Sequence, residues 1–413
     1  MVSSHLSDFC RITMGQSPKG DECNSSGVGS PLLNGPTEFQ LIHPSPVQWT
    51  TNPKKFSKSG DLLFCVRGST TGRMNWSDRE YAIGRGLASI SPIHQDTMYF
   101  FRGVIEVHLP SLLAGATGST FPNVSRGDLE LIPVPHPDLN YIKNASSILK
   151  ALESKIELNQ KMNQTLEEIA KAIFKSWFVD FDPVQAKMEG RPTGLPPEIE
   201  ELFPDELVDS EIGEIPKGWT QESIYQFCSV EYGAPFKSKL FNEDGKGKPL
   251  VRIRDLPKGR SGIFTEEIHP KGILIKSGDL VVGMDGEFRC YLWRGTDSWM
   301  NQRVCKFVPK ENVPSGFVWF ALERPLHFIE STEVATTVIH LGKGDIDEFK
   351  LIKSSQALLD QFSQLTSPLL ERMIVASKEM EVLSELRDTL LPKLISGELR
   401  IPDAEKFLEE AGI

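Results

Sequence analysis

Two long stretches of the chain repeat apolar residues every three to four positions, and both predict amphipathic helices. The first opens at Asn144 as NASSILKALESKIELNQKMNQTLEEIAKAIFKSWFVDFDP. Leu149, Ile156 and Ala170 fall at one heptad position, and Leu152, Leu166 and Ile173 at the other. That spacing buries one stripe of a helix against a second helix. Asn159 and Asn163 interrupt the stripe, as polar residues do where register matters more than maximal stability. Asp182-Pro183 is expected to stop the helix, because proline has no amide hydrogen and disfavours helical geometry before it. The second stretch, 358–395, keeps the register: Leu369, Met373, Leu383 and Leu390 stand 217 positions after Leu152, Ile156, Leu166 and Ile173. Ser367-Pro368 reads as an N-cap followed by proline at the first helical position, predicting a short helix ahead of the main one. Pro392 and Gly397 are expected to close that helix, with a charged, mobile tail from about Pro402.

The segments ahead of the helices repeat as well. Lys58-Ser59-Gly60-Asp61-Leu62 returns as Lys276-Ser277-Gly278-Asp279-Leu280, an offset of 218. Phe9-Cys10, Gly15, Pro31-Leu32 and Arg85 match Phe227-Cys228, Gly233, Pro249-Leu250 and Arg303 at the same offset, and Arg126-Gly127-Asp128 matches Lys343-Gly344-Asp345 at 217. A colinear series at a nearly constant offset marks a tandem duplication, and the period is too long for a solenoid or propeller. Each half is a globular segment followed by a long helix.

Within 1–140, the apolar run Leu62–Val66, bounded by Gly60-Asp61 and Arg67-Gly68, suits a buried strand. Leu87–Ile90 and Val104–His108 are further strand candidates. Residues 184–218 read as a linker rich in proline, glycine and acid, in which Gly190–Pro197 cannot be helical throughout. Residues 219–353 repeat the first globular segment with different loops.

A chain of 413 residues has room for two to four domains. No apolar run approaches the roughly 18 residues that a membrane span requires, and the start lacks the charged and apolar regions of a signal peptide. A cytoplasmic protein with no membrane partner is expected. The six cysteines lie far apart with no C-x-x-C pair, which points to reduced thiols and not to a zinc site or disulfide framework.

The net charge of −11 argues at first against a nucleic-acid partner. Its distribution changes the picture. Residues 1–140 carry a net −1 and 219–353 a net +1, whereas 141–218 and 354–413 carry −6 and −5. The globular segments are near neutral, and the acidic helices suit protein partners better than phosphate.

Candidate chemistry sits on loops. Arg67-Gly68-Ser69-Thr70-Thr71-Gly72-Arg73 places two arginines and three hydroxyls on a glycine-bounded turn. Arginine pairs bidentately with guanine and hydroxyls take either partner; the plain alternative is a solvated hairpin turn. Arg67, Ser69, Thr70, Arg73 and Arg85 are the candidates of the first half. In the second, Gly283-Met284-Asp285-Gly286-Glu287-Phe288-Arg289 replaces that loop, and Trp299-Met300-Asn301-Gln302-Arg303-Val304 follows. Arg252, Arg254, Glu287, Arg289, Asn301, Gln302 and Arg303 are its candidates; asparagine and glutamine pair bidentately with adenine. Here the alternative is internal hydrogen bonding that braces a turn.

Catalytic signatures are missing. There is no H-E-x-x-H, G-x-S-x-G, P-loop or G-x-G-x-x-G. Asn52-Pro53-Lys54-Lys55 only faintly resembles an amino-methyltransferase motif, and no glycine-rich cofactor loop precedes it. Asp61 and Asp279 stand beside glycine in turns, where a structural role is expected. No metal and no cofactor is assigned to this chain.

Phe174-Lys175-Ser176-Trp177-Phe178-Val179-Asp180-Phe181-Asp182-Pro183, Gly190–Pro197, Glu214-Ile215-Pro216-Lys217-Gly218-Trp219 and Leu391-Pro392-Lys393-Leu394-Ile395-Ser396-Gly397-Glu398 resemble the central and carboxyl-terminal regions of Type I restriction–modification specificity subunits. Ile12-Thr13-Met14-Gly15-Gln16-Ser17-Pro18 resembles the opening of one class of their recognition domains. The resemblance implies an α+β protein with two β-rich target-recognition domains in tandem pseudo-repeat, separated by two long helices packed as an antiparallel coiled coil. The implied divisions are 1–140 and 219–353 for the recognition domains, 141–183 and 354–400 for the spacer helices, 184–218 for the linker and 401–413 for a tail.

By the same resemblance, each domain reads one half of a split, asymmetric site in double-stranded DNA. The helices dock two adenine-N6 methyltransferase subunits, motor-nuclease subunits join for cleavage, and S-adenosylmethionine, ATP and magnesium belong to those partners. Two other classes stay open on the residues alone: a coiled-coil scaffold that binds only proteins, and a nuclease or methyltransferase without familiar motifs.

Overall fold

The computed structural model describes residues 4–40, 42–115, 122–136, 138–210, 213–332 and 339–412. Two compact units are present, one comprising Met1–Leu158 with Glu381–Ile413 and the other Asn159–Met380.

The first unit opens with nine short strands: β1 (Cys10–Met14), β2 (Cys23–Asn24), β3 (Ser30–Leu33), β4 (Gln48–Thr50), β5 (Phe56–Ser57), β6 (Leu62–Cys65), β7 (Met74–Trp76), β8 (Tyr81–Ile83) and β9 (Leu87–Pro92). They form a four-stranded sheet in the order β1-β9-β6-β7 and a five-stranded sheet in the order β2-β4-β3-β8-β5. Leu33, Tyr81 and Ile83 of the larger sheet share one core cluster with Leu63, Cys65 and Leu87 of the smaller. All four residues of β6 are fully buried. A strand covered on both faces reads as a continuous apolar run, which is why Leu62–Val66 was conspicuous.

The turn before β6 explains the repeated Lys-Ser-Gly-Asp. Gly60 has φ +86°, and Asp61 Oδ2 accepts hydrogen bonds from the Lys58 N–H at 2.8 Å and the Ser89 hydroxyl at 2.6 Å. Asp279 Oδ2 likewise accepts from the Lys276 N–H at 2.7 Å. These carboxylates hold turns.

Helix α1 (Met98–Gly115) follows and overturns the strand expected at Val104–His108. Met98, Phe101, Val104 and Ile105 are buried at helical spacing, a period that five residues are too few to display. Helices α2 (Arg126–Glu130) and α3 (Leu139–Phe178) come next. Asp138 Oδ1 accepts the Tyr141 N–H at 2.7 Å and so caps α3, which begins five residues before Asn144. Its end at Phe178 precedes Asp182-Pro183; Phe181 turns left-handed at φ 55°, and α4 (Asp182–Met188) starts with that proline in its first turn.

The second unit takes α3 from Asn159. The stretch 184–218, expected as a linker, is folded: α4 is followed by α5 (Pro197–Glu200) and the hairpin β10 (Leu207–Ser210) and β11 (Gly213–Pro216). Ile199, Phe203, Ile215 and Trp219 join Trp177, Phe178 and Phe181 in one core. Trp219 packs against Phe178 and Phe181 at 5.8 and 5.7 Å between centroids. The apolar residues scattered among the prolines were the sign of this packing. Gly190–Pro197 contains no helix apart from Pro197, where α5 begins.

Strands β12 (Thr220–Ser223), β13 (Cys228–Tyr232), β14 (Phe241–Asn242), β15 (Lys248–Val251), β16 (Phe264–Thr265), β17 (Leu274–Ile275), β18 (Leu280–Gly283), β19 (Cys290–Leu292), β20 (Ser298–Met300) and β21 (Val304–Pro309) follow. The sheet orders β13-β21-β18-β19 and β14-β16-β15-β20-β17 repeat those of the first unit strand for strand. Helices α6 (Ser315–Ala321), α7 (Glu323–Thr332) and α8 (Lys343–Asp347), strand β22 (Lys350–Lys353) and helix α9 (Gln356–Ser396) complete the pattern. The tandem pseudo-repeat of two β-rich domains with long helices is thus built into the topology.

Helix α9 is continuous through Ser367-Pro368, where a break was expected. Phe362, Thr366, Leu370 and Met373 are buried on one stripe and Pro368 is exposed, so packing outweighs the lost backbone bond. The helix also passes Pro392 and ends at Ser396, just before Gly397, whose φ is +76°. The expected tail forms helix α10 (Ile401–Glu410), anchored by the buried Ala404.

Within each unit the long helices run antiparallel. In the first, the Tyr141 hydroxyl meets the Leu394 carbonyl at 2.9 Å, and Leu149, Leu152, Leu383 and Leu390 are buried, with Ile156 9% exposed. In the second, the Asn163 side-chain amide donates to the Ser377 hydroxyl at 3.0 Å and Phe174 lies 6.1 Å from Phe362. Ala170 and Met373 are buried there, whereas Leu166, Ile173 and Leu369 are half-buried at the margin.

Candidate nucleic-acid interface

In the first domain, the loop after β6 has a hydrogen-bonded backbone and turns three of its polar side chains outward. The Gly72 N–H donates to the Cys65 carbonyl at 2.8 Å, Arg73 to Thr70 at 3.1 Å, and Val124 to Val66 at 3.0 Å. The Thr71 hydroxyl bonds the carbonyls of Gly68 and Pro122. Arg67, Ser69 and Arg73 point outward, exposed, while Thr70 is half-buried with its hydroxyl 3.7 Å from the Cys65 sulfur. Arg85 is also exposed; its backbone N–H is held by the Ser17 hydroxyl at 3.1 Å. Among the described residues, the guanidinium groups of Arg67, Arg73 and Arg85 meet no hydrogen-bond or ion-pair partner. A rigid loop carrying unpaired cations suits contact with an anionic, acceptor-rich surface.

The second domain distributes its candidates differently. Arg254 and Gln302 are exposed, with no side-chain partner among the described residues. Arg252 instead braces its own turn: its guanidinium donates to Asp255, 5% exposed, at 3.0 and 3.3 Å. Glu287 and Arg289 pair with each other on either side of the buried Phe288. Asn301 is half-buried, and its backbone bonds Val251 and Val304 at 3.0 and 2.9 Å. Arg303 joins two residues that sequence reasoning missed, Asp285 and His340. Its Nε lies 3.4 Å from Asp285 Oδ2, and His340 Nδ1 lies 2.7 Å from Asp285 Oδ1.

One sequence equivalence needs correction. The Val66 N–H donates to the Gly86 carbonyl and the Met284 N–H to the Arg303 carbonyl, each at 2.9 Å. Arg303 therefore occupies the place of Gly86, and the counterpart of Arg85 is Gln302. A net loss of one residue between β18 and β21 shifts the offset from 218 to 217, so the arginine identity was coincidental.

The two domains thus present one backbone frame with unlike side chains. Among the described residues, no group of three His, Cys, Asp or Glu side chains converges as a metal site, and no helix is long and apolar enough to cross a membrane. The six cysteines are unpaired. Burial pushes the Cys228 and Cys305 thiols up to about 12, where they stay protonated and un-nucleophilic at neutral pH.

Comparison with known proteins identifies this frame. Residues 1–168 and 216–352 match the family model of the Type I restriction modification DNA specificity domain. The chain belongs to that family, carrying two such domains in tandem as a Type I specificity subunit. It is 29% identical over 304 residues to the Type I restriction enzyme MjaIX specificity subunit of Methanocaldococcus jannaschii, a match covering 69% of this chain and 65% of that one. Against the HindI specificity subunit of Haemophilus influenzae it is 24% identical over 418 residues, covering 84% and 88%. The match thus spans just under two thirds of the MjaIX subunit and most of the HindI subunit. The crystal structure of a Type I S subunit from M. genitalium superimposes with a TM-score of 0.56 over 95% of both chains at 15% identity, a likeness of fold.

Proposed function

We propose that this chain is the DNA-reading, non-catalytic subunit of a Type I restriction–modification complex. Each β-rich domain reads one half of a bipartite, asymmetric site. The long helices hold two methyltransferase subunits and set the spacing between half-sites, and motor-nuclease subunits join for cleavage. The observation that carries this reading is the repeated frame with unlike readers. The loops after β6 and β18 leave equivalent central strands, yet one presents Arg67, Ser69 and Arg73 and the other Asp285, Glu287 and Arg289. Two copies of one scaffold with different exposed donors and acceptors suit two different base sequences.

The electrostatics fit a subunit that works within a complex. Domains of net charge −1 and +1 exert little long-range attraction on DNA, so affinity alone is expected to be weak, while the acidic helices offer protein-binding surface. Helix α3 has 40 residues, about 60 Å at 1.5 Å per residue. That length is ample for spacing half-sites about 10 bp apart, one helical turn of DNA.

Co-expression with the adenine methyltransferase partner, followed by genome-wide mapping of methylated adenines, tests the proposal. One bipartite motif with a fixed spacer is expected, and no methylation when this chain is omitted. Methylation that is independent of the chain, or confined to one continuous site, would contradict it. A protein-binding scaffold without DNA readout is separated by filter binding across a salt titration, since phosphate contacts give a steep negative slope.

A further inference from the structure

In both domains the loop after the central strand is met by a segment arriving just ahead of a short helix. Arg67 bridges to Asn123 ahead of α2, and Asp285 to His340 ahead of α8. The flanking backbone bonds repeat: Val124 to Val66 at 3.0 Å and Leu341 to Met284 at 2.8 Å. These bonds set the equivalences between the two domains. Arg67 corresponds to Asp285, Asn123 to His340, and Gly86 to Arg303.

The chemistry at this shared station differs sharply. In the second domain three side chains close on one another at the surface. Asp285 Oδ1 lies 2.7 Å from His340 Nδ1 and Asp285 Oδ2 lies 3.4 Å from Arg303 Nε, while an Arg303 terminal nitrogen is 3.2 Å from the same His340 Nδ1. One ring nitrogen cannot donate to the carboxylate and accept from the guanidinium together. The shorter contact, to the charged carboxylate, makes Nδ1 the donor. Asp285 thereby holds both neighbours and leaves Arg303's terminal nitrogens without an acceptor among the described residues. The Arg303 side chain is 51% exposed, that of His340 46% and that of Asp285 28%.

We infer that Asp285, Arg303 and His340 form a base-reading station of the second domain, with Arg303 reading a guanine and Asp285 and His340 as its positioning residues. The inference rests on the proposal that this domain binds double-stranded DNA. The ion pair at 3.4 Å keeps the guanidinium beside Asp285 while its terminal nitrogens remain to donate, as a bidentate contact to guanine O6 and N7 in the major groove requires. The first domain has no side chain at Gly86, so Arg67 and Asn123 there read differently. A bracing role is the weaker explanation. Exposed ion pairs contribute little to stability, and the loop is already held by backbone bonds from Gly286 to Ile339 and from Leu341 to Met284.

The test uses the complex co-expressed with its methyltransferase, comparing wild type with Arg303→Ala, Arg303→Lys, Asp285→Asn and His340→Gln. The readouts are the methylated motif, relative methylation of single-base variants of the second half-site, and the thermal midpoint. Both Arg303 variants are expected to relax one guanine-containing position of the second half-site, losing about ten- to a hundredfold of its discrimination. Asp285→Asn should lose less, and His340→Gln, which still donates to Asp285, least. The first half-site and the thermal midpoint should not move. An unchanged motif in Arg303→Ala would overturn the inference, as would equal weakening at every sequence, which marks a phosphate contact, or a fall in thermal midpoint that tracks the lost methylation. If wild type itself yields no bipartite motif, the proposed function fails; if it does and the variants retain it, only the station fails.

Discussion

The polar layer in the helix seam makes an asymmetric prediction. Asn163 is 4% exposed, and its amide donates to the Ser377 hydroxyl at 3.0 Å. Its Oδ1 is buried with no partner among the described residues. Ser377 is independently satisfied, because its hydroxyl donates to the Met373 carbonyl at 2.9 Å. Ser377→Ala therefore strands the Asn163 amide beside an oxygen already stranded, at a cost of about 1–3 kcal/mol. Asn163→Leu keeps the branched shape, removes the orphaned oxygen and leaves Ser377 bonded, so it should be neutral or stabilising by about 1 kcal/mol. In the double variant the loss from Ser377→Ala should largely vanish, a coupling of about 1 kcal/mol or more. Urea midpoints with unchanged slopes read these differences. If Asn163→Leu destabilises more than Ser377→Ala, the layer adds stability and does not merely fix register.

Three further outcomes follow from the packing and the loops. Burial pushes the Glu153 carboxyl above the usual carboxylate range against the pull of Arg102, so the folded state holds its proton to higher pH and stability falls as pH rises through that window. Arg102→Met should cost about 3 kcal/mol at neutral pH by leaving the buried Glu153 only the Trp76 indole and the charge of Arg387 to offset its own, and urea midpoints should show the deficit shrinking as pH falls. Phe178 is 3% exposed, with ring centroids 5.1 Å from Phe317 and 5.3 Å from Phe362; Phe178→Ala should cost about 3–5 kcal/mol by thermal or urea unfolding. Replacing Arg67, Ser69, Thr70 and Arg73 together with alanine should weaken methylation by about 1–3 kcal/mol for each lost base contact, with the second half-site's preference intact in the methylation map.

Much of the architecture was legible because it is periodic or repeated. The heptads placed Leu149, Leu152, Met373 and Leu383 in the helix seam, and the repeated Lys-Ser-Gly-Asp marked the turn before each central strand. Helix α1 was not legible at Val104–His108, since five residues display neither period decisively. Nor was the continuity of α9, because proline chemistry at Pro368 is local while the stripe that overrides it is tertiary. Residues 184–218 looked like a linker by composition, although Val184, Ile199, Phe203 and Ile215 fold them into a core. The station of Asp285 and His340 was hidden for a related reason. The two residues are 55 positions apart, and only the bridge ahead of α8 brings them together. The repeat of Arg126-Gly127-Asp128 with Lys343-Gly344-Asp345 did mark Asn123 and His340 as equivalent positions, but it said nothing of what they touch.

On the proposed function, two domains on one scaffold read two half-sites independently. The most direct test of this replaces residues 1–140 with the corresponding domain of a relative, co-expresses the hybrid with the methyltransferase, and maps methylated adenines by long-read sequencing. A new first half-site joined to the unchanged second half-site at the unchanged spacing is expected. If both half-sites change together, or the spacing changes, the domains read DNA jointly and the account is wrong.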